Sequence, residues 1–186
     1  MSRLEIEATP LSGVMVITRN RVGDARGFLC RIYCADELAP LGFEDGISQI
    51  NHTLTHRKGT VRGMHFQHRP QAETKLVTCI RGEIFDVAVD LRCGSSRFLQ
   101  WHGEVLSAKN DHALLIPKGF AHGFQTLTDE CELLYLHSAP YERSAEDGVN
   151  AIDPKLGIDW PLAISEMSER DRNQAMIAPE FDGIDL

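Results

Sequence analysis

The sequence predicts an all-β protein, an antiparallel sandwich or barrel. Short runs with apolar alternation recur roughly every ten residues between Met15 and His137. Turn signals separate them, among them Asp24-Ala25-Arg26-Gly27, Arg81-Gly82 and Pro117-Lys118-Gly119. No linker, low-complexity tract or domain boundary divides the chain, so residues 1–186 read as one domain.

Taken in order, Met15–Thr18 reads as a short strand, and Phe28–Tyr33 as a strand after the Asp24–Gly27 turn. Asp36–Leu41 is a short helix candidate limited by Pro40. Gln49–Leu54 alternates polar and apolar residues, with Gln49 and Asn51 on the polar face. Val61–Gln67 is the next strand, and the polar stretch His68–Thr74, with Pro70, is a loop. Lys75–Ile80 and Ile84–Asp90 are strands; in the second, Phe85, Val87 and Val89 share one face and Asp86, Ala88 and Asp90 the other. Phe98–Leu106 alternates with Leu99, Trp101 and Val105 on the apolar face. Ala113–Ile116, His122–Leu127 and Cys131–His137 complete the strands. Ser168-Glu169-Arg170-Asp171 is a capping-box pattern that opens a short C-terminal helix through Ala175.

Composition narrows the function. A chain of 186 residues can bury a sizeable core. The net charge of −8 argues against a general nucleic-acid binder, although a few local cations still suit an anionic small ligand. No apolar run is long enough for a membrane-spanning helix, and Met1-Ser2-Arg3-Leu4-Glu5-Ile6-Glu7 has no signal-peptide apolar region. The five cysteines form no CxxC pair, which predicts reduced thiols in the cytoplasm and no structural zinc.

The chemistry centres on Val61-Arg62-Gly63-Met64-His65-Phe66-Gln67. In a regular strand His65 and Gln67 share a face with Gly63 and Val61, while Arg62, Met64 and Phe66 share the other. For Arg62 and His65 to enter one pocket, Gly63 must host a bulge or twist. A half-buried histidine held by a hydrogen bond is the plain alternative for His65. Pro117-Lys118-Gly119-Phe120-Ala121-His122 resembles the second motif of the cupin superfamily, in which a tight turn delivers a histidine to the barrel mouth. Many cupins bind a metal there. Here the first motif would be His65-Phe66-Gln67 followed by Glu73, with Gln67 in place of a second histidine, and amides are poor transition-metal ligands. A set of His65, His122 and Glu73 is the minor alternative; the main expectation is no metal and no cofactor.

A closer resemblance covers about residues 20–175. Asp24-x-Arg26-Gly27-Phe28, Gln49-x-Asn51-His52, Arg62–Gln67, Lys75-Leu76-Val77, Phe85–Arg92, Ile116-Pro117-x-Gly119-Phe120-Ala121-His122-Gly123-Phe124, Asp153-Pro154-x-Leu156-Gly157-Ile158-x-Trp160-Pro161 and Ser168-x-x-Asp171 follow one another. In this order they are similar to the dTDP-4-dehydrorhamnose 3,5-epimerase family of nucleotide-sugar enzymes. The resemblance implies a cupin-like double-stranded β-helix, or jelly roll, with short peripheral helices. It also implies a metal-free homodimer whose N-terminal strands cross to the partner. The implied substrate is a nucleoside-diphosphate 4-keto-6-deoxy sugar, inverted at C3, C5 or both in rhamnose-type deoxysugar biosynthesis. By resemblance, His65 is the base, Asp171 its carboxylate partner, Lys75 the catalytic lysine and Tyr135 the catalytic tyrosine. Arg26, Gln49, Asn51, Arg62, His122, Tyr141 and Arg170 fall on substrate-binding positions.

These residue types suit the reaction. A C4 ketone acidifies the hydrogens at C3 and C5; histidine can remove one near neutral pH, and a carboxylate on its other nitrogen fixes the tautomer. A lysine ammonium stabilises the enolate oxygen, and a tyrosine returns the proton on the other face. Each residue also has a plainer reading: Asp171 as the capping-box carboxylate, Lys75 as a solvated strand end, Tyr135 as a core residue with a tethered hydroxyl. Two further function classes are a single-position epimerase or keto-isomerase on a CDP- or dTDP-sugar, and a metal-dependent or sugar-binding cupin. Three departures from the family pattern stand out. Leu29-Cys30-Arg31-Ile32 lacks the usual glutamate, which predicts weaker preference for thymidine. Ala151-Ile152 stands before Asp153-Pro154, where an aromatic and a polar residue are common, and Pro140 precedes Tyr141 in place of another aromatic.

Overall fold

The computed structural model describes residues 3–44 and 46–186; Met1 and Ser2, which begin the N-terminal stretch read above for a signal peptide, and Asp45 lie outside them. The strands in chain order are β1 (Leu4–Ala8), β2 (Met15–Arg19), β3 (Arg21–Asp24), β4 (Gly27–Cys30), β5 (Gln49–Thr55), β6 (Val61–Gln67), β7 (Lys75–Arg81), β8 (Glu83–Asp90), β9 (Trp101–Ser107), β10 (His112–Ile116), β11 (Phe120–Thr126), β12 (Cys131–His137) and β13 (Glu146–Gly148). Two one-turn helices, α1 (Ala35–Leu38) and α2 (Glu169–Arg172), lie at the periphery. One sheet runs β1-β2-β10-β7-β12-β5 and the other β13-β6-β11-β8-β9, while β3 and β4 form a separate hairpin. The pairings between these strands are antiparallel. This is the cupin-like jelly roll.

Period-two alternation builds the interior. Val16, Val77, Cys79, Ile84, Ala88, Leu114, Ile116, Phe124 and Leu133 meet between the sheets. Full burial of each large side chain there is worth about 1.5–3 kcal/mol. The opposite faces are covered separately. On the β6 side, Val61, Met64, Phe66, Val87 and Val89 pack beneath the C-terminal segment through Val149, Leu156, Met167, Ile177 and Ile184. On the other side, Leu38 and Phe43 close over Ile17, Leu76, Leu115 and Leu136. The faces expected for β8 hold, with Ala88 inside and Val87 and Val89 outside.

Among the boundaries that differ from expectation, three stand out. The strand expected over Phe28–Tyr33 stops at Cys30, because its partner begins at Arg21 and the register Arg21↔Cys30 leaves nothing to pair with further residues. The strand expected from Phe98 starts at Trp101, since Leu99 takes φ 63° in a turn. The helix expected through Ala175 ends at Arg172, where the Asn150 side chain takes the carbonyls of Arg172 and Gln174 at 3.3 and 2.9 Å. Strands β1, β3 and β13 were not expected; each is short, and neither β1 nor β13 carries a buried apolar alternation.

Candidate active site

At one end of the sandwich the inner face turns polar. Along β12 the inward positions run Cys131, Leu133, Tyr135, His137, and along β7 they run Cys79, Val77, Lys75. The polar ends line a cavity of about 360 Å3 together with Arg62, His65, His122 and Asp171.

His65 and Asp171 form its best-defined pair. His65 Nε2 lies 2.7 Å from Asp171 Oδ1, with the imidazole part-exposed and the carboxylate buried. The Gly63 N–H donates to Asp171 Oδ2 at 3.4 Å. Burial would raise the Asp171 pKa, but the His65 bond and charge, the Gly63 N–H and the Ser168 hydroxyl outweigh it and hold the carboxyl below its ordinary value. The helix cap uses a different atom: Ser168 Oγ accepts from the Asp171 backbone N–H at 3.0 Å. One residue thus serves both cap and cavity. With Asp171 on Nε2, the imidazole has Nδ1 left as its basic nitrogen.

Arg62 and His65 line the same cavity although they lie three positions apart, an odd offset that puts them on opposite faces of a regular strand. Against β11, His65 pairs with His122 and Arg62 with Phe124, so Gly63 and Met64 together oppose Gly123 alone. This is a β-bulge, and it switches the face of everything before it. Val61 accordingly lies in the outer cluster, not beside His65 as a regular strand would have it. Glycine is required: Gly63 has φ +130°, and a Cβ there would sit 2.5 Å from Gly123 Cα and 2.8 Å from His122 O.

Lys75 is buried, which answers the plain reading of a solvated strand end. Its Nζ donates to His65 O at 3.2 Å and pairs with Glu73 Oε1 at 3.2 Å. Tyr135 is half-buried, edge-on to His122 at 5.7 Å and stacked on His137 at 6.1 Å. Burial, then the nearby Asp86 charge, push its pKa far above the ordinary phenol value, so it holds its proton at neutral pH. His122 Nε2 lies 2.7 Å from Asp86 Oδ1, both buried. Burial raises the Asp86 pKa, with His122 opposing.

At the mouth, Tyr141 Oη donates to Glu146 Oε2 at 2.7 Å, and Arg170 pairs with Glu146 at 2.8 Å. Asn51 lines the cavity; Gln49 stands behind it, donating to Asn51 Oδ1 at 3.1 Å. Arg26 is not brought in: it projects from the β3–β4 hairpin, almost fully exposed, paired with Asp24. Arg31 lies beyond β4 and pairs with Glu37 at 2.6 Å. The alternative metal set is not assembled as ligands. His65 Nε2 and His122 Nε2 face carboxylates, and Glu73 binds Lys75, His137 and Gln67. Among the described residues no group of three metal-ligating side chains is gathered. Gln67 is a tether; its Oε1 accepts from the Glu142 N–H at 2.7 Å and its Nε2 donates to Glu73 and Pro140 O.

Sequence reasoning gave no role to Asp86, His137 or Glu146. Asp86 and His137 had a visible signal, a polar side chain on the inward parity of an otherwise apolar strand. Glu146 had none, because β13 is too short to read.

Comparison with known proteins agrees with this geometry. Residues 8–178 match the family model described as dTDP-4-dehydrorhamnose 3,5-epimerase. The chain is 45% identical over 152 residues to the dTDP-4-dehydrorhamnose 3,5-epimerase of Pseudomonas aeruginosa, covering 81% of this chain and 83% of that protein. It is 38% identical over 173 residues to the dTDP-4-dehydrorhamnose 3-epimerase of Streptomyces niveus, covering 92% and 83%. Its fold is similar, at a TM-score of 0.88 and 37% identity over 93% of this chain and 92% of the other, to the crystal structure of dTDP-6-deoxy-D-glucose-3,5-epimerase from Legionella pneumophila in complex with dTDP-4-keto-L-rhamnose. The match spans the jelly roll and the segment that carries Asp171 into the cavity, and on it the chain belongs to the dTDP-4-dehydrorhamnose 3,5-epimerase family.

Proposed function

We propose that the cavity binds a dTDP-linked 4-keto-6-deoxy-hexose and inverts C3, C5 or both by proton removal and return. The observation that carries this is the His65–Asp171 pair opening on one cavity with Lys75 and Tyr135. His65 Nδ1 takes the proton α to the ketone, and the imidazolium that forms is stabilised by the buried Asp171 carboxylate. Lys75 stabilises the enolate oxygen. Tyr135, kept protonated by burial, returns a proton to the opposite face. One proton leaves and one returns, so the balance needs neither redox cofactor nor co-substrate. Arg62, His122, Asn51, Tyr141 and Arg170 hold the sugar diphosphate, with Gln49 orienting Asn51.

The whole chain works as one domain in a cytoplasmic homodimer on this reading. Val22, Phe28 and Leu29 on the hairpin and Ile50 and Leu54 on the edge strand β5 are exposed, which supports a partner over these surfaces. Arg26, at the hairpin tip, then serves the partner's cavity. The five cysteines are all free, in keeping with a reducing compartment. No helix among the described residues is long and apolar enough to cross a membrane.

The test is to incubate the protein with dTDP-4-keto-6-deoxyglucose in deuterated water and read deuterium by position. Deuterium at C3 alone marks a single-position epimerase, such as the Streptomyces niveus relative's name describes; deuterium at both marks a 3,5-epimerase. No deuterium at either carbon sinks the reading. Turnover should survive exhaustive chelation, since Gln67 stands where a metal cupin has its second histidine; loss restored by one divalent ion would contradict this.

A further inference from the structure

A line of hydrogen bonds runs along the cavity wall from the Tyr141 backbone to Lys75, and its direction is fixed at one end. A backbone N–H can only donate, and that of Tyr141 reaches Gln49 Oε1 at 3.0 Å. The other end of that amide, Gln49 Nε2, must then donate, and it meets Asn51 Oδ1 at 3.1 Å. Asn51 Nδ2 in turn faces His137 Nε2 at 3.5 Å, so Nε2 is the acceptor. The imidazole proton is therefore on Nδ1, which donates to Glu73 Oε2 at 3.1 Å. The same oxygen accepts from Gln67 Nε2 at 3.1 Å, an amide oriented independently by the Glu142 N–H. Glu73 Oε1 takes the Lys75 ammonium.

We propose that Glu73 is a positioning residue of this active site: it holds Lys75 against the cavity and fixes His137 as the Nδ1–H tautomer, and thereby ties the Asn51 and Gln49 amides to the Tyr141 segment. The proposal rests on Lys75 acting on the substrate, as read above. The Glu73 side chain is only 7% exposed, so its charge needs internal partners, and Lys75, His137 and Gln67 supply them. Lys75 and His137 outweigh burial and keep the carboxyl below its ordinary pKa, so it stays ionised at neutral pH. His137 also stacks on Tyr135, so one carboxylate sets both the ammonium and the ring beside the phenol. Glutamine at residue 73 can accept at one oxygen only and carries no charge. It cannot serve Lys75 and His137 together.

Two measurements test this. Nitrogen NMR of the intact wild-type protein should show His137 protonated at Nδ1 and bare at Nε2; an Nε2–H tautomer would overturn the relay. Glu73→Gln should lower kcat by about tenfold to a hundredfold, the scale of a misplaced catalytic group, with KM changed far less. Glu73→Asp should restore part of the loss, since it keeps the charge. Wild-type kcat in Glu73→Gln would overturn the positioning role. If Glu73→Gln does not fold, the wild-type tautomer still decides the relay. If the wild-type protein turns over no 4-keto sugar, the functional reading fails, and the tautomer measurement judges the network separately.

Discussion

Strands β6 and β12 both bring side chains into the cavity, by different means. Strand β12 is regular where it does so: Leu133, Tyr135 and His137 share a face because they lie two apart. Strand β6 supplies Arg62 and His65, three apart, and a bulge at Gly63 makes this work. The same Gly63 offers its N–H to Asp171, so the irregularity also anchors the carboxylate that faces His65. The irregular strand brings two side chains of opposite parity to the cavity, and the regular one brings alternate residues.

The largest expected effect falls on β6. His65→Ala removes the proton acceptor and should cost at least the ~10²–10⁴-fold typical of a general base, with the fold intact by circular dichroism. Comparable exchange at C3 and C5 in the variant would move the base elsewhere. Next comes the bulge itself. Gly63→Ala places a Cβ against the backbone of Gly123 and His122 at φ +130°, so it should lose about 1–3 kcal/mol or more of stability and most turnover. Tyr135→Phe, on the regular strand, should change the melting temperature far less. Equal melting temperatures for the two variants would break the comparison.

Asp171→Asn should reduce kcat less than His65→Ala, since it spoils the imidazole's orientation and keeps the imidazole. The cap uses the Asp171 backbone N–H and survives the change. A variant with lowered melting temperature but wild-type turnover would return Asp171 to a purely structural role. The smallest effect is on pH dependence. The folded Asp171 pKa lies below its ordinary value, so this group's stabilisation is fully present above the unfolded pKa, about 3.9, and is lost as pH falls through the folded one. Denaturant unfolding of Asp171→Asn at neutral and acid pH should show the difference from wild type shrinking in acid; a constant difference would contradict the shift.

The same contrast governs how much was legible in the sequence. Regular strands announce themselves by alternation, and β5, β6, β7, β8, β10, β11 and β12 all follow the runs that predict them. The parity of Tyr135 with Leu133 and His137 is directly readable. The face of Arg62 is not, because a bulge obeys local sterics between Gly63 and Gly123 and leaves no periodic trace beyond the glycine itself. The His65–Asp171 contact joins residues 106 apart, which no local pattern encodes; only family resemblance paired them. The Glu73 relay escaped for a similar reason. It assembles from β5, β12, the loop before β7 and the stretch after β12, and its direction is set by a backbone N–H.

The central claim is that β6 removes a proton and β12 returns one to the other face of the same ring. Tyr135→Phe tests it most directly, because it keeps the ring between His122 and His137 and removes only the hydroxyl. In deuterated water the variant should still bind substrate and exchange at C3 or C5 with the original configuration, while inverted product falls sharply. Tyr141, whose hydroxyl is held by Glu146, is the competing donor. Inversion at the wild-type rate in Tyr135→Phe, with loss of inversion in Tyr141→Phe, would contradict the account.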